Sequence, residues 1–155
     1  MNVNILEKTC VRDIRKYIVE TPAVIDTRCP VDDMLLRIVD DPVTRHVYVT
    51  DPKGRLTGSV RLNVIVEHIL PLVSRQNGTD REFVNFDYLA VTDIMETDPA
   101  FVEEDTPLSE LVDYMKKEMV NELPVVDKDR KIIGEVNILE VITAYLKIKG
   151  KVKLK

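Results

Sequence analysis

The strongest constraint on this chain is that it contains one sequence pattern twice. The stretch ELPVVDKDRKIIGEVNILEV at residues 122–141 is preceded, 76 positions earlier, by HVYVTDPKGRLTGSVRLNVI at residues 46–65. Each stretch has two short apolar runs, a polar turn between them and an amphipathic helix after them, which is typical of a hairpin followed by a helix. Internal duplication of this kind predicts two equivalent structural units.

The duplication continues upstream of these stretches. VRDI at residues 11–14 recurs as VTDI at 91–94, and PAVI at 22–25 recurs as PAFV at 99–102. Helical stretches that begin at Pro30 and Pro107 follow, because a first helical turn tolerates proline, and Thr106 is the predicted cap of the second helix. The repeat therefore predicts strand, helix, strand, strand, helix, which in the first half means residues 23–26, 30–39, 46–50, 55–60 and 62–72.

The two predicted hairpin turns differ in how strongly the local sequence indicates them. Residues 51–54 read Asp-Pro-Lys-Gly, which is a strong turn signal. Residues 127–130 read Asp-Lys-Asp-Arg and lack the glycine, so the second turn is inferred from the symmetry of the repeats. Between the repeats, residues 74–81 are polar and include an Asn-Gly pair, which predicts an exposed linker.

Composition limits the possible classes of function. The chain has 155 residues, 45% of them hydrophobic, which suffices for an aliphatic core, whereas aromatics make up only 5% and the net charge is −5. A general basic field for nucleic acid is therefore not expected. The lysine-rich residues 147–155 are more typical of a solvated or frayed tail, and nucleic-acid binding through them is the third candidate function, after a ligand sensor and a scaffold. No apolar run reaches the roughly 20 residues of a membrane span, and no export signal precedes the first motif. We expect a cytoplasmic protein with Cys10 and Cys29 as reduced thiols.

The motifs of the second half resemble the cystathionine β-synthase (CBS) domain, and two such units in tandem resemble the CBS pair, or Bateman module. The resemblance covers about residues 11 to 146 and rests on Val91-Thr-Asp-Ile-Met95, Asp105-Thr-Pro-Leu108, Leu123-Pro-Val-Val-Asp127 and Ile133-Gly134. It implies an α/β (α+β) fold with two βαββα repeats packed sheet to sheet about a pseudo-two-fold axis. The implied division is a first repeat with its N-terminal segment at 1–75, a linker at 76–90, a second repeat at 91–148 and a basic tail at 149–155.

The resemblance also implies a regulatory role. Such pairs bind an adenine nucleotide (AMP, ADP or ATP) in a cleft between the repeats, transmit its presence to an effector protein and often form homodimers. Where the family has a Thr or Ser and, three residues later, the Asp that accepts the ribose hydroxyls, the second repeat has Asn137 and Glu140, and the first has Arg61 and Val64. Glu140 retains the carboxylate, whereas Val64 has none, so the resemblance favours one site per chain.

The phosphates of the implied ligand are assigned to the opposite repeat. The family places basic residues just before the hPVVD strand, where the first repeat has Arg45 and His46 and the second has Asn121 and Glu122. A guanidinium group pairs well with phosphate oxygens, whereas Glu122 would repel them. The predicted nucleotide-binding set is therefore Glu140, Asn137, Arg45, His46, Pro99 and Ala100, with the nucleotide as a regulatory ligand and no required cofactor.

Less specific interpretations apply to the same residues. Taken singly, Arg45 is a solvated loop residue, Glu140 an exposed helix residue and His46 a structural hydrogen-bonding group. The acidic runs at residues 40–41 and 103–105 are an alternative cation patch, although acidic groups are common at loops and helix starts, so we predict no metal site. No catalytic constellation is present, so an enzyme is not expected. The rival function is a dimerisation scaffold with degenerate clefts.

Overall fold

A computed structural model describes residues 4–15, 21–41, 45–69 and 89–152 of the chain. The chain divides into two compact units. One is continuous, Ala23–Pro99, and is called the central unit below. The other combines Met1–Pro22 with Ala100–Lys155 and is called the terminal unit.

The predicted α/β class and the strand, helix, strand, strand, helix order are confirmed in both units. In the central unit the elements are β1 (Val24–Asp26), α3 (Val31–Asp40), β2 (His46–Thr50), β3 (Leu56–Arg61), α4 (Leu62–Val64) with a π-helical turn at Ile65–Ile69, a 3-10 helix (Val91–Asp93) and β4 (Glu96–Thr97). In the terminal unit they are α1 (Asn4–Lys8), α2 (Val11–Ile14), β5 (Val102–Glu103), α5 (Leu108–Glu118), β6 (Glu122–Val126), β7 (Ile132–Asn137) and α6 (Ile138–Ile148).

The two sheets repeat one another in strand pairing. In the central unit β1 is parallel to β2, and β2 is antiparallel to β3, which also pairs with β4. In the terminal unit β5 is parallel to β6, and β6 is antiparallel to β7. Val49 lies opposite Gly58, and Val125 lies opposite Gly134, with a register shift after the valine in both cases. The duplication read from the sequence is thus present in the hydrogen-bond ladder, including its irregularity.

The two hairpin turns also share their hydrogen bonds. Asp51 Oδ1 accepts the backbone amides of Lys53 and Arg55, and Asp127 Oδ1 accepts those of Asp129 and Lys131. The fourth turn position has positive φ in both, +80° at Gly54 and +61° at Arg130. The second turn therefore forms without the glycine because its aspartate supplies the same local bonds.

Each unit buries one aliphatic core between its sheet and its helices. The central core consists of Ala23, Ile25, Val31, Met34, Val47, Val49, Val60 and Val91. The terminal core consists of Val11, Ile14, Val102, Leu108, Leu111, Met115, Leu123, Val125, Val136, Val141 and Ala144. Cys10 and Cys29 are free thiols, as expected, and burial raises the pKa of Cys29.

The N-terminal segment belongs to the unit that contains the second repeat. The Val11 amide donates to the Thr106 carbonyl over 3.0 Å, and the Leu108 amide donates to the Thr9 carbonyl over 2.9 Å. Val11 and Ile14 of α2 are buried in the terminal core. The packing units therefore differ from the linear division at residues 75 and 91, because these apolar side chains complete the core formed by residues 100–148. The division into sequence repeats, linker and tail stays a prediction.

The central unit has an equivalent closing segment. The 3-10 helix Val91–Asp93 buries Val91 in the central core, and Pro30 forms a bridge with Ala90. The corresponding bridge in the terminal unit joins Cys10 to Pro107. Both units are thus closed by the short VxDI motif that precedes the other repeat in the sequence.

Several local expectations need correction. Pro30 and Pro107 are N-cap residues with extended backbone, one position before the helices begin. Thr106 does not cap α5, because its hydroxyl accepts the Glu103 amide over 3.0 Å. The helix expected at 62–72 is α-helical only over Leu62–Val64 before the π-helical turn. Residues 70–72 and the expected linker at 74–81 lie outside the described residues.

Candidate functional site

The turn from β7 into α6 holds two of the predicted site residues. Asn137 is the N-cap of α6, and its Oδ1 accepts the Glu140 amide over 3.1 Å. In return, Glu140 Oε2 accepts the Asn137 amide over 2.9 Å. The two side chains form a reciprocal capping box, which satisfies backbone donors that the first helical turn leaves unpaired.

Burial distinguishes this pair from ordinary surface caps. Glu140 has an exposed fraction of 0%, and Asn137 is also buried. The interpretation of Glu140 as an exposed helix residue is therefore wrong. No local pattern in the sequence predicts this burial, because it depends on the packing around the capping box. A carboxylate at this position also interacts favourably with the positive end of the helix dipole.

The central unit lacks the capping box at the equivalent turn. Arg61 is the N-cap of α4 and makes no side-chain capping bond, and Val64 stands where Glu140 stands in the terminal unit. The helix that follows is α-helical for three residues, whereas the capped α6 is α-helical for eleven. Loss of the capping box therefore coincides with loss of regular helix geometry.

Basic side chains gather at the same end of the central sheet. His46 begins β2 and lies directly opposite Arg61, the last residue of β3. Arg45 precedes His46, and its carbonyl accepts the Leu62 amide over 3.3 Å. His46 is buried and stacks on Tyr48 with 6.0 Å between ring centroids, whereas Arg45 is exposed. We call Arg45, His46 and Arg61 the basic cluster.

Arg61 is the member of the basic cluster that the sequence interpretation missed. In the sequence pattern it marks only the loss of the family's hydroxyl residue, although the register of the predicted hairpin also places it opposite His46. Arg61 Nη2 contacts Glu96 Oε2 of β4 at 3.0 Å. The pair is partly exposed, so a stronger anion can compete for the guanidinium.

Pro99 and Ala100 fall in different units. Pro99 is buried at the end of the central unit, and Ala100 is half-buried against the terminal core. Both lie between β4 and β5, in a segment without regular secondary structure. Asn137 and Glu140 are thus in contact with each other, and Arg45 and His46 are neighbours at one strand end. That the full set binds one nucleotide stays a prediction from the resemblance.

The acidic run at residues 103–105 is largely engaged in ion pairs. Glu103 pairs with Lys128, which raises the pKa of Lys128, and Glu104 Oε1 accepts Arg15 Nε over 2.8 Å. Among the residues that the structure describes, no three His, Cys, Asp or Glu side chains are grouped so as to hold a metal ion. These carboxylates are explained by their partners.

Comparison with known proteins identifies the architecture. The CBS domain model matches residues 91–147. A crystal structure of a CBS domain-containing protein from Thermotoga maritima is 30% identical, with a TM-score of 0.71 over 90% of this chain and 95% of that one. No match was found among curated proteins.

Two further solved structures were determined with ligands. CBSX2 in complex with AMP is 26% identical, with a TM-score of 0.68 over 90% of this chain and 98% of that one. The CBS domain pair of protein MJ0100, in complex with 5′-methylthioadenosine and S-adenosyl-L-methionine, is 19% identical and has a TM-score of 0.68, with coverage of 90% and 98%.

Over the described ranges, no helix has the length and apolar character needed to cross a membrane. The paired sheets with equal register, the closing VxDI segments and the matches over nearly the whole chain agree with one another. The chain therefore belongs to the CBS domain family.

Proposed function

We propose that this protein is a regulatory module that binds an adenine nucleotide (AMP, ADP or ATP) and passes its presence to an effector protein. The observation that carries the proposal is that CBSX2, which is similar to this chain over 90% of its length, was solved in complex with AMP. The proposal includes a cytoplasmic homodimer that catalyses no reaction of its own. The nucleotide is its regulatory ligand, and no cofactor is required.

Two features of the described residues support an anionic nucleoside ligand. The basic cluster offers two guanidinium groups and an imidazole at one strand end, and guanidinium pairs with phosphate in a bidentate manner. The capped turn at Asn137 and Glu140 supplies amide and carboxylate groups of the kind that recognise sugar hydroxyls. In this proposal Arg45, His46 and Arg61 contact phosphate, and Asn137 and Glu140 contact ribose, which requires that nucleotide binding expose the Glu140 carboxylate.

Signalling requires two arrangements of the protein that differ in nucleotide affinity. A ligand that binds both arrangements equally shifts neither, however tight the binding is. The expected consequence is that an effector bound to one arrangement changes the nucleotide affinity by the same factor as the nucleotide changes the effector affinity.

Calorimetric titration of ligand-stripped protein with AMP, ADP, ATP and S-adenosylmethionine tests binding directly. A ligand present at 100 times its dissociation constant adds about 2.7 kcal/mol of stability, so denaturation with and without each nucleotide is an independent readout. Absence of both heat and stabilisation with every adenine compound would refute the proposed function.

Variants test the phosphate contacts separately. Arg45→Ala and Arg61→Ala should each weaken nucleotide binding about tenfold to a hundredfold, because a hydrogen bond to a charged group contributes about 1.5–3 kcal/mol. Arg28→Ala is the matched control, since Arg28 is an exposed arginine of the same unit that pairs with Asp26. Equal affinity in all three variants would remove the basic cluster from the site while leaving nucleotide binding intact.

The ribose contact needs variants that keep the fold. Glu140→Gln retains an N3 side chain able to cap α6 but removes the charge. We expect it to weaken nucleotide binding without a comparable loss of stability. Thermal denaturation of this variant verifies that the cap of α6 is retained. If Glu140→Gln binds the nucleotide as the unmodified protein does, Glu140 acts only as a helix cap.

One observation favours a second candidate function. The Glu140 carboxylate already accepts the Asn137 amide and is buried, and Val64 replaces it in the central unit. A family member that uses these positions for helix capping alone would act as an interaction scaffold without a ligand. The scaffold predicts no stabilisation by any adenine compound and an unchanged effector affinity when nucleotide is added.

A further inference from the structure

Strand β4 of the central unit is short and exposed. It consists of Glu96 and Thr97, and both residues pair with β3. Just beyond it, the Asp98 amide donates to the Thr57 carbonyl over 3.4 Å, longer than the roughly 3.2 Å at which such bonds usually end. Residues 96–98 are all exposed. The pairing of β4 with β3 therefore gains little from burial.

The position of β4 in the chain gives it a connecting role. It follows the 3-10 helix Val91–Asp93, which is fixed in the central core through Val91. After β4 comes the buried Pro99, where the central unit ends, and the terminal unit continues from Ala100. Because two residues separate β4 from Ala100, a change in how β4 pairs with β3 is transmitted to the terminal unit along the backbone.

One guanidinium group belongs both to the basic cluster and to the attachment of β4. Arg61 Nη2 lies 3.0 Å from Glu96 Oε2 and 3.4 Å from Glu96 Oε1. Ser59 lies opposite Glu96, so Arg61 is the diagonal neighbour of Glu96, a spacing over which long side chains interact across strands. Arg61 also lies opposite His46. The side chain that is proposed to bind phosphate is thus the one that contacts β4.

The equivalent residue of the terminal unit has a different role. Asn137, 76 positions after Arg61, caps α6 through its side chain. Arg61 makes no side-chain capping bond with α4. Helix capping therefore does not explain the arginine, and the contact with Glu96 is what its side chain provides.

A phosphate group is a stronger partner for Arg61 than Glu96 is. The Glu96 side chain is 46% exposed, and exposed ion pairs contribute little because water and salt screen them. A phosphate monoester carries up to about two negative charges and three acceptor oxygens, and a guanidinium group binds it in a bidentate manner. At the basic cluster, Arg45 and His46 would attract it as well. A phosphate bound there is therefore expected to take Arg61 from Glu96.

We propose that Arg61 couples phosphate binding to β4. When a nucleotide phosphate binds the basic cluster, the Arg61 guanidinium turns from Glu96 to the phosphate, and β4 loses its side-chain contact with β3. The inference rests on the proposed function and describes how occupation of that site changes the protein. It also restricts the class of ligand that acts: phosphorylated adenine nucleotides release β4, whereas adenosine leaves β4 in place.

Calorimetric titration with AMP tests whether Glu96 acts through Arg61. Glu96→Gln should strengthen AMP binding about threefold to tenfold, because the carboxylate no longer competes for the guanidinium. This gain should disappear in the Arg61→Ala background, where no guanidinium is left to compete for. Asp26→Asn is the matched control, since it removes the carboxylate of another exposed arginine pair in the same unit, and it should leave AMP affinity unchanged. A gain of equal size with and without Arg61 would show simple charge repulsion by Glu96 and would overturn the coupling.

Hydrogen exchange resolved by residue tests the release of β4. Saturating AMP should speed exchange of the Asp98 amide about twofold to fivefold, the factor that an exposed ion pair contributes, and saturating adenosine should not. Glu96→Gln should speed the same exchange without any ligand. The Asp51 amide, which donates to the Arg55 carbonyl over 2.9 Å in the first hairpin turn, is the internal control. Thermal denaturation verifies that each variant folds.

The outcomes distinguish this coupling from the proposed function. If AMP binds and the exchange of Asp98 stays unchanged, the coupling is wrong and nucleotide binding stands. Equal acceleration by adenosine and AMP would assign the effect to the nucleoside and would also contradict the role of Arg61. Absence of binding by every adenine compound would refute the proposed function and the coupling together.

Discussion

Positive φ angles mark the positions where a residue other than glycine adopts a strained backbone. In the described part of the chain they occur at Asp98, Met119 and Arg130. Arg130 lies with its guanidinium carbon 4.7 Å from the centre of the Phe101 ring, and a cation–π contact offsets part of the strain. Met119 closes α5 in the left-handed conformation and is 88% exposed, so little packing compensates it.

Met119→Gly should stabilise the protein by about 0.5–1 kcal/mol, because glycine adopts the left-handed conformation without a steric penalty. Gly150→Ala is the opposite change, at a residue with φ +65° after α6, and should destabilise by a similar amount. Urea denaturation measures both. Equal stability of Met119→Gly and the unmodified protein would show that the helix end relaxes around the methionine.

The first hairpin turn should respond to acid. Backbone hydrogen bonding from Arg55 holds the pKa of Asp51 below its ordinary value of 3.8, with a further bond from the Arg55 side chain. A carboxyl group whose pKa is lower in the folded state contributes stability that is present above pH 4 or so and is lost as pH falls through the folded pKa. The free energy of unfolding should therefore fall more steeply below about pH 4 in the unmodified protein than in Asp51→Asn. The prediction would be contradicted if urea denaturation at a series of pH values gave the same dependence of the free energy of unfolding on pH for both proteins.

At the scale of residues, some backbone features were predictable from the sequence and others were not. The Asp-Pro-Lys-Gly turn was evident, because each residue type suits its position. The second turn at Asp127 was found only through the repeat, since Arg130 gives no local signal for positive φ. The burial of Glu140 was not predictable, because it depends on packing that no local pattern reports.

At the scale of elements, the glycines of β3 and β7 set how closely the closing segments approach. A Cβ atom on Gly58 would lie 2.4 Å from Met95 Sδ and 3.1 Å from the Glu96 carbonyl oxygen. A Cβ atom on Gly134 would lie 2.9 Å from Arg15 Nη1, and its three nearest atoms all belong to that flexible side chain. Met95 and Arg15 thus occupy equivalent places over equivalent strands.

Gly58→Ala should destabilise the protein by about 1–3 kcal/mol, the usual cost of overpacking. Gly134→Ala should cost less, because the end of Arg15 can move, whereas the Glu96 backbone cannot. Chemical denaturation of the two variants shows which one loses more stability. Combining Gly58→Ala with Met95→Ala should recover only the part of the stability loss that is due to the contact with the methionine. A larger loss in Gly134→Ala would contradict the assigned contacts.

The order of elements was predictable because the same pattern occurs twice, so weak signals in one repeat were supported by strong ones in the other. Helix ends were less predictable. Pro30 and Pro107 are N-cap residues rather than the first residues of their helices. The Thr106 hydroxyl accepts the Glu103 amide instead of capping α5, because loop hydrogen bonds compete with capping. The irregular helix after Leu62 coincides with the absence of a side-chain cap at Arg61 and Val64, a difference visible in the sequence but not in its apolar periodicity.

At the scale of the whole molecule, the chain order and the packing order differ. Residues 4–15 close the unit that contains residues 100–152, and the Arg15 side chain binds both Glu104 and the Ile133 carbonyl. The sequence showed the VxDI motif twice but did not reveal which core each copy would enter. That assignment depends on tertiary contacts, which sequence spacing does not encode.

Ile14→Ala should destabilise the terminal unit by about 2–5 kcal/mol, the range for a buried Ile reduced to Ala. Hydrogen exchange resolved by residue should show the loss of protection in β6 and β7 rather than in β2 and β3. Ile94→Ala is the counterpart, since Ile94 packs against the central core, and should reverse the pattern. Loss of protection in the central strands of Ile14→Ala would contradict the assignment.

This crossing of the N-terminal segment bears on synthesis at the ribosome. Residues 23–99 emerge as one continuous stretch and contain all of the described side chains of the central core, so this unit can fold early. The segment around Val11 is made before the central unit, yet its core is incomplete until α6 has been translated, more than 120 residues later. A fragment that ends at residue 75 would therefore contain the N-terminal segment without the core it packs into, and it would lack Val91 of the central core. A fragment of residues 23–99 would contain all of the described central core.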